Sequence, residues 1–190
     1  MNEATPDAAG PTTRERLLQA AIDIAARQGQ GAVTYRAVAA EVGVTHGLVR
    51  FYFGTRQAML SEAFEMAARK DAREAGLLTE SLDDLGADLV RTITEHGERQ
   101  VLQYEYLLSA VRGTAPLEHV VALYDFYADQ VGQTLRNVRI DDPDGSLAAL
   151  VFAALDGLVL QHAVYGDPER TERTLARLRD ILRPLEADPE

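Results

Sequence analysis

Cysteine is absent from this chain of 190 residues, which removes disulfides, thiolate metal ligands and cysteine nucleophiles together. The four histidines, His46, His96, His119 and His162, stand at no recognised metal-ligand spacing. No glycine-rich phosphate loop is present, because Gly29, Gly31, Gly43 and Gly47 bound short helical patterns. The carboxylate pairs Asp83–Asp84 and Asp141–Asp142 fall at helix starts or loops, where capping explains them better than acid–base chemistry. An enzyme is therefore not expected, nor any cofactor or metal. Residues 1–10 lack the basic start and apolar run of a signal peptide. No stretch approaches the roughly 18 uninterrupted apolar residues of a membrane span, so a soluble, cytoplasmic protein is expected. Alternating strand patterns are missing as well, leaving an all-α fold.

What is present is 46% hydrophobic residues, enough for a sizeable core. The net charge of -11 argues against a nucleic-acid partner until its distribution is read. From Thr13 to Arg56, six arginines face three acids, a balance of +3, while residues 57–190 carry -12. A mildly basic head on an acidic body can approach phosphates while the body is repelled. Uneven solvated charge is the plain alternative.

Residues 1–11 read as a disordered arm. Thr12 and Glu15 have capping-box spacing, and Leu17, Leu18, Ala21, Ile24 and Ala25 then form one apolar stripe. Thr34 caps a short second helix, Gly43 marks a sharp turn, and Thr45 caps a short third helix with Val49 and Phe53 inward. Thr55 opens a longer fourth helix over about 56–75. Five further helical patterns span roughly 81–96, 99–112, 117–137, 145–164 and 168–184, about nine helices in all. The expected organisation is an arm at 1–11, a helix-turn-helix domain at 12–56 and a body at 57–190.

The run TRERLLQAAIDIAARQGQGAVTYRAVAAEVGVTHGLVRFYFGTRQAML, from Thr13 to Leu60, resembles the N-terminal DNA-binding region of TetR-type repressors. The features carrying the likeness are the first-helix pattern, the VTYRAVAAEVGVT turn and the FYFGTRQAML exit. The resemblance implies a nine-helix fold, a two-fold homodimer, a palindromic double-stranded operator and, often, release from DNA by a small ligand. Arg50 stands where many members carry tyrosine, and Arg56 where lysine is usual.

The residues allow the same reading. A helix in the major groove meets base edges with its N-terminal residues, here Thr45, His46, Gly47 and Leu48. Thr45 can cap and reach a phosphate, His46 can meet a base edge, and Gly47 permits close approach. Leu48 can touch a thymine methyl or simply pack in the core. Arg50 can bind guanine or clamp a phosphate. Phe51 and Tyr52 follow, with the Tyr52 hydroxyl directed at a phosphate. Thr34, Tyr35, Arg36 and Arg56 are further phosphate candidates. Each arginine has a plainer alternative as a solvated surface charge.

In the body, the pattern at 145–164 is apolar nearly all round, so it needs covering on both sides. With the stripe of the last helix it suggests a four-helix dimer interface through Leu147, Val151, Leu155, Leu158, Leu175, Leu178 and Leu182. A seam inside a monomer is the alternative. Gln103, Tyr104, Tyr106, Arg112, Tyr124, Tyr127, Phe152 and His162 are candidates to line an effector pocket. Aromatics at helical spacing are equally the makings of an ordinary core. The expected function is a dimeric, ligand-released repressor. The rival is a regulator with no small-molecule effector.

Overall fold

A computed structural model describes residues 11–186. Nearly all of the predicted arm lies outside the described residues. Among the described residues the fold is all-α, with eight α-helices: α1 (Thr13–Gln28), α2 (Tyr35–Val42), α3 (His46–Phe53), α4 (Arg56–Glu74), α5 (Leu89–Val111), α6 (Leu117–Asn137), α7 (Ser146–Tyr165) and α8 (Pro168–Leu182). Two compact units divide within α4, the first ending at Met66.

The first unit is built by local signals. Thr12 accepts from the Glu15 backbone while the Glu15 carboxylate accepts from the Thr12 N–H at 2.7 Å, closing a capping box. Thr34 accepts from Ala37 N (3.1 Å) and Thr45 from Leu48 N (3.3 Å), so each short helix opens on a satisfied amide. Between them Gly43 adopts the left-handed conformation (φ 76, ψ 36), and Gly43 N and Val44 N both donate to Ala39 O. Leu17, Ala21, Val33, Val38, Val49 and Met59 are buried where α1, α2, α3 and α4 converge. The Arg14 guanidinium lies 5.0 Å from the centre of the Phe53 ring.

The second unit packs α5, α6, α7 and α8 around one core that includes Leu135, Val151, Leu155, Leu175 and Leu182. Its entry differs from the expected helix over 81–96. Only Leu82–Asp84 form a 3-10 turn there. Gly86 then takes φ 69, and a Cβ on it would lie 3.3 Å from Leu175 Cδ1. The chain thus turns tightly under α8, and α5 begins at Leu89. The two expected helices over 81–96 and 99–112 are one element, broken in backbone geometry at His96 (φ -130, ψ 27). Among the described residues eight helices therefore stand where nine were expected.

By length and composition α7 could cross a membrane, with a mean hydropathy of 1.8. Asp156, Gln161 and His162 interrupt its apolar run. In the fold, α7 buries Ala148, Val151, Phe152, Leu155 and Leu158 in the body core.

Candidate functional site

Helix α3 divides cleanly into faces. Val49 and Phe53 point into the core of the first unit. Thr45, His46, Gly47, Arg50 and Phe51 are exposed, and Leu48 and Tyr52 are half-buried on the flank. Arg50 on α3 and Arg36 on α2 are both exposed, and neither has an ion-pair or hydrogen-bond partner among the described residues. No acid lies on α3, and the one acid of α2, Glu41, is paired with Arg27 at 3.0 Å. The surface can therefore present uncompensated positive charge to a polyanion.

Two of the expected phosphate-binding side chains are engaged inside the unit. The Tyr35 hydroxyl donates to Gly54 O at 3.0 Å, tying the start of α2 to the end of α3. The Arg56 guanidinium turns back, with Nε donating to Val33 O at 2.6 Å and Nη2 donating to Gln30 O. It supplies a donor to the Val33 carbonyl and a second one to the Gln30 carbonyl, which also accepts from Val33 N at 3.2 Å. Arg56 is thus first a clamp on the unit's own backbone.

In the second unit, five of the eight expected pocket residues come together. The Phe152 ring stacks on Tyr127 and meets Tyr124 edge-on, each with centroids 5.2 Å apart. The Tyr104 hydroxyl donates to Asp156 Oδ1 (2.8 Å) and the Tyr124 hydroxyl to Asp156 Oδ2 (3.2 Å). The Tyr127 hydroxyl donates to Gln103 Oε1, while Gln103 Nε2 donates to Asp71 Oδ2 at 2.5 Å. Arg99 Nη2 lies 3.0 Å from both Asp71 Oδ1 and Glu74 Oε2. The Asp71 contact is an ion pair whose angle does not make a hydrogen bond. Burial pushes the Asp71 carboxyl above its ordinary range against the opposing pull of Arg99. Burial, then the charge of Asp156, pushes Tyr104 and Tyr124 above the ordinary phenol value.

Arg112 and His162 are placed elsewhere. Arg112 is exposed in the turn after α5. Tyr106 is buried. His162 Nδ1 meets Thr171 Oγ1 at 2.9 Å, with Nε2 3.5 Å from Thr94 Oγ1. Asp71, Arg99 and Asp156 were missed from the sequence. Asp156 had left a signal, as the lone acid in a 20-residue apolar helix. Asp71 left none.

Most of the expected dimer residues are already covered within the single chain. Val151, Leu155, Leu158, Leu175 and Leu182 are buried in the core of their own unit, and Leu147 and Leu178 pack partly against it. The reason is that α7 is apolar on opposite faces, with Val151, Leu155 and Leu158 on the inner one. The outer face carries Leu150 (66% exposed), Ala153, Gly157, Leu160 and Val164 (73% exposed) at helical spacing. Ile181 and Leu185 are likewise exposed.

Comparison with known proteins adds to this geometry. Residues 17–63 match the tetR family of bacterial regulatory proteins, and residues 77–184 match the tetracyclin repressor-like C-terminal domain. The chain is 32% identical over 117 residues to the HTH-type transcriptional repressor Rv3405c of Mycobacterium tuberculosis. That alignment covers 54% of the chain and 62% of the relative's length. A transcriptional regulator from Rhodococcus sp. Rha1 shares the fold at TM-score 0.70 and 22% identity, over 94% of this chain and all (100%) of that one. The multidrug binding protein EbrR complexed with malachite green is similar at TM-score 0.62 and 28% identity, over 94% and 100% of the two chains.

Proposed function

Because the chain belongs to the TetR family of bacterial regulatory proteins, we propose that it is a cytoplasmic, non-enzymatic repressor that binds a palindromic DNA operator as a homodimer and leaves it when a small molecule binds the body. The observation that carries the DNA reading is the acid-free exposed face of α3, with Arg50 and Arg36 unpaired beside it. The proposed site comprises Thr34, Arg36, Thr45, His46, Gly47, Leu48, Arg50, Phe51 and Tyr52. Two such faces related by a two-fold axis would enter successive major grooves roughly 34–36 Å apart. Rv3405c is named a repressor, which supports that direction of control.

The effector site in this reading is the Gln103, Tyr104, Tyr124, Tyr127 and Phe152 cluster with Asp156. Aromatic faces around a carboxylate with no basic partner among the described residues suit a cationic aromatic molecule. EbrR, a multidrug binding protein solved with malachite green, supports an effector of that kind. An effector bound more tightly by one arrangement of the heads shifts the dimer toward it. The alternative, a regulator without an effector, is favoured by one observation: all three tyrosine hydroxyls of the cluster are already satisfied within the chain. A thermal-shift screen of charged and neutral aromatics separates the two.

The test of the DNA reading is selection of sequences from a random duplex pool, followed by gel shifts with Arg50→Ala. A palindrome is expected, with affinity falling about ten-fold or more per half-site for the variant, the worth of one charged contact. Undiminished binding by Arg50→Ala, or the absence of any selected sequence, overturns the assignment.

A further inference from the structure

We propose that Phe51 reads the methyl group of a thymine, and is thereby a sequence-specificity residue of the head. This rests on the DNA-binding reading above. Phe51 is 82% exposed, and it is the one large hydrophobic side chain of the first unit left exposed among the described residues. Its ring touches only its neighbour Tyr52, edge-on at 5.8 Å between centroids. On α3 it projects about 180° from the buried pair Val49 and Phe53, along the line by which the helix would meet a partner.

A second oddity lies one turn earlier on that same line. Gly47 is the second residue of α3, where most other residues hold the helix at less entropic cost. A Cβ there would meet nothing closer than Thr45 Oγ1 at 3.9 Å, and its φ is not in the left-handed region. The chain's own packing therefore does not ask for glycine. A bare backbone at position 47 and an apolar ring at 51 make sense together if an outside surface comes close at 47 and offers an apolar group at 51.

The charge around them says which surface. Arg50 precedes Phe51 on α3 and is exposed, Arg36 is exposed on the adjoining α2, α3 has no acid, and Glu41 is paired with Arg27. An apolar protein partner would gain nothing from this setting, whereas a polyanion would. The base edges of the major groove carry one apolar feature, the C5-methyl of thymine. Phe51 is thus matched to a thymine, with Arg50 one residue away on the flank able to reach a guanine edge or a phosphate.

The test uses the full chain and the operator selected from the random pool. Each thymine is replaced in turn by deoxyuridine, symmetrically in both half-sites, which deletes the methyl and leaves the pairing intact. Affinity is read by fluorescence anisotropy at fixed salt. The wild-type chain should lose about four-fold per half-site, roughly fifteen-fold for both, at one thymine position, the worth of one buried methyl each. Phe51→Ala should bind the thymine operator more weakly and no longer distinguish thymine from deoxyuridine at that position, with an unchanged melting temperature. Phe51→Leu should keep part of the discrimination. Indifference of the wild type to every replacement overturns the proposal, as does Phe51→Ala that discriminates like the wild type. Failure to select any operator removes the DNA reading along with it. An operator bound without methyl dependence removes this proposal alone.

Discussion

If the proposed homodimer buries the exposed outer face of α7 as its seam, replacing Leu150 and Val164 together by arginine should separate it while leaving each chain folded. Fully burying a side chain of this type is worth about 1.5–3 kcal/mol. Leu150 and Val164 are 66% and 73% exposed in the single chain, so about two-thirds of that, roughly 1–2 kcal/mol each, remains to be gained on association. Two-fold symmetry counts each side chain twice, giving about 4–8 kcal/mol across the interface. Its loss corresponds to about a thousand-fold or more in the dimer dissociation constant, before the cost of burying arginines. Sedimentation equilibrium reads the association, and thermal melting at low concentration reads the fold. The control is Leu155→Ala, fully inside the body core, which should cost about 2–5 kcal/mol of folding stability through the cavity it leaves. A double arginine variant that remains dimeric at wild-type concentrations would refute the argument that the outer face of α7 is the seam.

Arg56→Ala should lower the unfolding free energy read in urea by about 1–2 kcal/mol, because the Val33 carbonyl loses its side-chain donor and the Gln30 carbonyl keeps only Val33 N. Arg50→Ala, which breaks no internal contact, should stay within about 0.5 kcal/mol. Unchanged stability of Arg56→Ala with lost operator binding would restore Arg56 to a phosphate contact. In alkali, Tyr104, Tyr124 and Tyr127 should resist ionisation, since burial and then carboxylate charge raise all three above the ordinary value of 10.0. A raised folded value means that their stabilisation is complete below pH 10.0 and is lost as pH climbs past it. Phenolate absorbance should therefore show three tyrosines titrating only with unfolding. Asp156→Asn should ease Tyr104 and Tyr124 downward, and seven tyrosines titrating together near the ordinary value would contradict the cluster.

The head was legible because its signals act over three or four residues. Thr12, Thr34 and Thr45 cap the helices they precede, and Gly43 makes the left-handed turn that its position requires. The segmentation near residue 86 was not legible, since Gly86 takes φ 69 where the chain passes close against Leu175 from the far end of the fold. Nor was Arg56, whose carbonyl partners lie 23 and 26 residues away. The family and the all-α fold class were determined by the sequence alone, through periodicity and the run from Thr13 to Leu60. Tertiary structure alone decided which face of α7 is inside, and that Asp71 meets Arg99 while Asp156 meets Tyr104 and Tyr124. A helix that is apolar on opposite sides carries the same periodicity for either face. Only the neighbours that pack against it break that tie.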